Sequence, residues 1–77
     1  MNDTLKTYAR SQILNGLQKL PDSWQERFKL MYGRNGGKRS VEDTKAMTIE
    51  EVVQEMPDEK LDWALSQIEN SLKKLNL

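Results

Sequence analysis

The chain has 77 residues, with 12 Lys/Arg, 12 Asp/Glu, and neither cysteine nor histidine. That length allows one small domain with a thin core, since a chain of this size buries only about 60–65 % of the surface it exposes when unfolded. Without Cys or His, disulfides, thiolate zinc sites and the ordinary catalytic base are excluded, and no cofactor, metal or small-molecule substrate is expected.

The first helix reads from "DTLKTYARSQILNGLQKL". Asp3 or Thr4 is placed to cap it, and Leu5, Tyr8, Ala9, Ile13, Leu17 and Leu20 recur at helical spacing. Gly16 interrupts the helical grammar and marks a close approach of another helix. The run ends at Pro21, which disfavours helical geometry at the residue before it.

A second helix follows, with Ser23 and Glu26 in the form of a capping box. Trp24, Phe28 and Met31 lie at i, i+4 and i+7, with Tyr32 beside them, and this aromatic face must pack on something. Gly33 takes the position where a left-handed helix end wants glycine.

Residues 34–47 lack apolar periodicity and are expected as a flexible Gly/basic loop. Within it, "YGRNGGKRS" suggests a phosphate cradle but fails as one. A P-loop needs Gly-x4-Gly-Lys then Ser or Thr, after a strand. Here Gly37-Lys38 is followed by Arg39, Gly33 is one residue too close, and the preceding segment is helical.

Thr48 and Glu51 form a second Thr-x-x-Glu box, starting a two-turn helix with Ile49, Val52, Val53 and Met56 on its apolar side. Pro57 ends it and opens the last helix, where Asp58, Glu59 and Asp62 complement the positive end of the helix dipole and Lys73 and Lys74 the negative end. Leu61, Ala64, Leu65, Ile68, Leu72 and Leu75 form one long stripe. Trp63 lies off it, either capping the core from the side or belonging to a contact with a partner. "LQKLPD" and "VQEMPD" share the grammar of a tight helix–helix corner. A duplicated hairpin would give the same echo.

These elements predict an all-α fold, a small bundle of about four helices, two long and two short. It forms a single domain over 1–77, with helical hairpins over 3–32 and 48–76 joined by loop 33–47. "MNDTLKTYAR" has no signal-peptide pattern, no apolar run approaches the ~20 residues that span a bilayer, and the lack of cysteine fits a reducing compartment. The expectation is a soluble cytoplasmic protein with no membrane partner.

Charge is balanced overall but uneven along the chain. Residues 1–45 carry nine basic and five acidic side chains, and residues 46–77 carry three and seven. Such asymmetry fits two halves that attract within one fold, head-to-tail association, or separate surfaces for different partners. Arg27, Lys29, Arg34, Lys38 and Arg39 could line a nucleic-acid backbone, with Gly36 and Gly37 letting the loop follow the phosphates. Against this, the chain has no excess of positive charge and the stretch 50–62 repels DNA. The acidic stretch lacks the grammar of a calcium loop, and no nucleophile–base pair supports catalysis.

The blocks "YARSQILNGLQKLPDSWQERFKLMY" and "VVQEMPDEKLDWALSQIENSLKKL" resemble small helical proteins of tailed bacteriophages and prophages. Those proteins pair a Leu-Pro corner and a Gln-x-x-Phe-Lys-x-Met-Tyr helix with a Met-Pro-x-x-Lys-Leu-Asp-Trp-Ala helix. The resemblance implies a phage-encoded accessory protein acting in a bacterial cytoplasm, and it transfers no activity.

The resulting expectation is a non-catalytic protein that binds a host or phage factor, or a second copy of itself as a homodimer. Trp63, Leu61, Leu65, Ile68, Leu72 and Leu75 are the candidate interface. The alternative is a small nucleic-acid-binding regulator using Arg27, Lys29, Arg34, Lys38 and Arg39.

Overall fold

A computed structural model describes residues 2–75. It is all-helical: α1 Asp3–Gln18, α2 Asp22–Tyr32, α3 Val41–Lys45, α4 Ile49–Glu55, a 3-10 turn Asp58–Lys60, and α5 Leu61–Lys74, with no strand among the described residues. α1 packs against α5 and α4, while α2 packs against α3 and α4. The Cα extents of 31 × 30 × 16 Å describe a flattened shape. The expected end of the second hairpin, residue 76, lies outside the described residues.

α1 is capped by Asn2 rather than Asp3 or Thr4. Asn2 keeps extended geometry and its Oδ1 accepts from the Leu5 N–H at 2.8 Å, whereas Asp3 is already helical. Ala9, Ile13 and Leu17 are buried and Leu20 follows them into the core, but the expected stripe stops short of Leu5 and Tyr8, which are exposed. Gly16 does mark a close approach: its α-carbon lies under Ile68 of α5.

The Ser23–Glu26 capping box does not form. Pro21 is the extended residue of this corner, so α2 begins at Asp22 and Ser23 is already inside it. The Pro21 carbonyl accepts from the N–H groups of Trp24 and Gln25 at 3.0 and 3.1 Å, and Glu26 turns to the Lys29 ammonium at 2.6 Å. The second Pro-Asp corner is built alike, the Pro57 carbonyl accepting from the Lys60 N–H at 3.1 Å. On α2, Phe28 is buried, Trp24 and Tyr32 are partly buried, and Met31 is exposed, so the aromatic face is narrower than its spacing implies.

Gly33 is not left-handed; its φ is −92°. Space requires it instead. A β-carbon there would lie 2.6 Å from the Lys29 carbonyl oxygen and 3.0 and 3.1 Å from methyls of Thr44 and Val52. The left-handed residues are Asn35, Gly36 and Gly37, with φ of 51°, 67° and 89°.

The segment expected as a loop contains α3. Ser40 caps it, its Oγ accepting from the Asp43 N–H at 3.0 Å. Thr44 is fully buried, and its hydroxyl donates to the Ser40 carbonyl at 2.7 Å. A threonine whose polar group is satisfied within its own turn serves here as the core residue, which is why apolar periodicity does not reveal the helix.

α4 begins as the sequence predicts. Thr48 Oγ1 accepts from the Glu51 N–H at 3.1 Å, and Glu51 Oε1 accepts from the Thr48 N–H at 2.9 Å. Val52, Val53 and Met56 are buried. Pro57 and the residues after it form the 3-10 turn instead of the first turn of α5. Asp58 is drawn away to α1, where Lys6 Nζ lies at 2.7 Å and Arg10 Nη2 at 3.1 Å. Arg10 also donates to the carbonyls of Val53 and Met56 at 3.2 and 2.7 Å, pinning α1 to the end of α4. With Arg39–Glu55 at 3.0 Å, these pairs join the basic first half to the acidic second half within one fold.

Candidate protein-docking groove

α2 and α5 each contribute to the core, yet no close-packed seam joins them. Gln67 bridges the gap: the Tyr32 hydroxyl donates to its Oε1 at 2.7 Å, and its Nε2 donates to Met31 Sδ at 3.5 Å. Burial raises the Tyr32 hydroxyl above the ordinary tyrosine range. The space left between the helices is a groove of about 620 Å³.

Two helical stripes wall this groove. α2 supplies Trp24, Arg27, Phe28 and Met31, at i, i+3, i+4 and i+7. α5 supplies Trp63, Ser66, Gln67, Asn70, Ser71 and Lys74, continuing the same spacing over a further turn. At 1.5 Å per residue, that second wall is about 16 Å long. Leu20, Phe28 and Ile68 give the groove an apolar floor continuous with the core. The Phe28 and Tyr32 rings meet at 4.6 Å between centroids with a 40° tilt, which stiffens the α2 side.

Two large apolar side chains on the walls remain in solvent. Trp63 is 71 % exposed and Met31 is 52 % exposed. Arg27 and Lys74 are the charged residues of the lining, no carboxylate joins them, and neither forms an ion pair among the described residues. The groove therefore combines apolar side chains with hydroxyls, amides and two cations, and is weakly positive.

The expected interface residues divide between two faces of α5. Trp63 and Ile68 line the groove. Leu61 and Ile68 are buried, and Leu65, Leu72 and Leu75 pack partly buried against the core. The stripe expected as a homodimer seam thus packs in part against α1 and the core, with Leu65, Leu72 and Leu75 left partly exposed. Ser66, Gln67, Asn70, Ser71 and Lys74 line the groove beside Trp63 without being among the residues expected from sequence. Their signal is faint in sequence, a helical spacing from Trp63 carried by small polar residues.

The five basic residues do not form one free face. Lys29 is buried, its ammonium donating to the carbonyls of Lys45 and Met47 at 2.9 and 2.8 Å. Arg34 Nε donates to the Arg39 carbonyl at 3.1 Å. Arg39 donates to the Gly33 carbonyl, to Met47 Sδ and to Glu55. These three serve the turn and its neighbours, leaving Arg27 in the groove and Lys38 exposed at the turn.

Among the described residues, no three or more acidic side chains gather as they would around a metal ion, and no helix is long and apolar enough to cross a membrane. No protein-family model, curated protein or solved structure matches this chain.

Proposed function

We propose that this chain is a non-catalytic, phage-type accessory protein, built as a small helical bundle, that binds another protein through the α2–α5 groove. The observation that carries this reading is Trp63, 71 % exposed on a groove wall. Trp and Arg are enriched at the energetic centres of protein interfaces, where a large flat side chain fills a partner's pocket. Met31 across the gap adds an adaptable apolar surface of the kind such sites use.

The phage origin and bacterial cytoplasm rest on the resemblance of the two sequence blocks, and the partner is then a host or phage factor. The non-catalytic reading rests on chemistry: the chain has no His or Cys, Glu26, Glu51, Glu55 and Asp58 are engaged in a cap or ion pairs, and no nucleophile activated by a base is found among the described residues. A nucleic-acid role is disfavoured because Lys29 and Arg39 direct donors to carbonyls inside the fold and Arg34 commits its Nε to the Arg39 carbonyl.

The test is affinity capture from infected bacterial lysate with wild type and Trp63→Ala side by side. Both are nuclease-treated, both are checked for equal thermal stability, and the captured protein is then purified and titrated. A protein that survives nuclease and loses affinity for Trp63→Ala supports the reading. Capture indifferent to Trp63, or abolished by nuclease, overturns it.

A further inference from the structure

Resting on that reading, we infer that the occupant of the groove is an acidic amphipathic helix of about three turns, supplied by a different protein. The walls argue for a helix. Two helices that share a core but leave a groove between them offer a third helix ridges to pack against on both sides. The α5 wall, about 16 Å long, matches a segment of about eleven residues. Apolar side chains at i, i+4 and i+7 of that segment would lie along the floor between Trp63, Met31 and Trp24, the helix-in-groove mode of recognition.

Charge argues for the sign. Arg27 and Lys74 line the groove and no carboxylate shares the lining. A partner carrying Glu or Asp on its flanks completes these two cations, whereas a basic one is repelled. Single-stranded nucleic acid would find stacking surfaces, but two phosphate contacts on a chain of zero net charge provide little of the electrostatic affinity such binding needs. A second copy fits poorly as well. The chain's own acidic amphipathic helix is α4, and its apolar residues Val52, Val53 and Met56 are buried in the core of the same molecule.

The test displays a library of peptides of about fourteen residues, enough for about three turns with caps. Leucine or tryptophan is fixed at i, i+4 and i+7, and the outer positions vary among Glu, Gln and Lys. The library is sorted on the labelled 77-residue chain beside a scrambled library, at about 150 mM ionic strength. The expected result is enrichment of Glu-bearing, helix-periodic peptides. Their affinity should fall about thirty-fold for Trp63→Ala, the loss typical of an interface hot spot. For Arg27→Gln with Lys74→Gln it should fall about three- to tenfold, the scale of partly exposed charge pairs.

Enrichment of Lys-bearing peptides, no enrichment over the scrambled set, or affinities unmoved by Trp63→Ala would each overturn the inference. So would displacement of the peptides by oligo-dT, or a Trp63-dependent dimer in sedimentation. If lysate capture succeeds with Trp63 dependence while the library shows no acidic preference, the docking surface stands and the acidic helix falls. If capture also fails, the docking reading falls with it.

Discussion

Gly16 of α1 and Ile68 of α5 touch so closely that a β-carbon on Gly16 would overlap the Ile68 γ2 methyl, although it would clear the Ile68 β-carbon by 3.6 Å and Leu72 by 3.7 Å. Alanine at 16 gains about 1 kcal/mol of helix propensity, but overpacking a buried contact costs about 1–3 kcal/mol. Gly16→Ala is therefore expected to destabilise. In an Ile68→Ala background the clashing methyl is gone, and the same substitution is expected to stabilise by up to about 1 kcal/mol. Ile68→Ala alone costs about 2–5 kcal/mol, so urea titrations of the four variants belong in an osmolyte that favours the folded state. A Gly16→Ala effect of the same sign and size in both backgrounds would show that Ile68 is not the obstacle.

Lys29 carries a second internal load. Its ammonium holds two carbonyls of the α3–α4 connection while its side chain is only 8 % exposed. Lys29→Met keeps the stem and removes the donors, which is expected to cost about 2 kcal/mol, the scale of leaving buried acceptors unpaired. Glu26→Gln removes the ion pair alone. Because that carboxylate is 47 % exposed, the loss is expected to stay below about 1 kcal/mol. Denaturant midpoints compare the two, and near-equal losses would mean that the ion pair, not the carbonyls, is what Lys29 contributes.

Lys29 also shows what the sequence conceals. A lysine in a run of basic residues reads as surface charge, and nothing in its neighbours states that two carbonyls, sixteen and eighteen residues on, will converge on its ammonium. The same holds for Arg39, whose bonds to Gly33 and Glu55 depend on how the turn folds back. Local grammar was legible: the Thr48–Glu51 box, both Pro-Asp corners, the core stripe from Ala9 to Leu20 and the close approach at Gly16 follow from spacing and residue type. Helix α3 was not, because its core residue is a threonine.

The groove was half legible. Trp63 stands out for lying off the leucine stripe, but its environment depends on the groove left between α2 and α5, a tertiary fact with no local signature. Met31 misled for the same reason. Helical spacing puts it near the face of Phe28, and only the gap decides that it faces solvent.

Asp58 sets a pH dependence. Hydrogen bonds from Lys6 and then Arg10 hold its carboxyl below the ordinary aspartate range. A carboxylate whose folded pKa is depressed contributes stability that is present above its unfolded value, about 3.9, and is lost as pH falls through the lower folded value. Asp58→Asn is therefore expected to lower the melting temperature at pH 7, with the gap to wild type closing below about pH 3. Glu51, lowered by the Thr48 N–H and hydroxyl, loses its contribution in the same direction and leaves the comparison unaffected. The same pairing raises Lys6, whose share persists until pH climbs past the ordinary lysine value of about 10.4. A melting difference that stays constant from pH 7 to pH 2 would remove Asp58 from the tie between α1 and the end of α4.

The glycines of the turn separate two reasons for having no side chain. Gly33 has ordinary helical dihedrals but no room, with the Lys29 carbonyl oxygen 2.6 Å from where a β-carbon would stand. Gly36 has room on every side but a φ of +67°. Gly33→Ala must displace backbone in the buried junction of α2, α3 and α4, and is expected to cost at least about 2 kcal/mol. Gly36→Ala meets only the left-handed penalty, about 1 kcal/mol. Asparagine, which tolerates that region and already occupies it at Asn35 with φ of 51°, is expected at Gly36 to cost a few tenths, roughly 0.3 kcal/mol. Thermal unfolding of the three variants should give that order. If Gly36→Ala proved the most damaging, the turn's dihedrals rather than the tight seat of Gly33 would govern how the first two helices join the rest.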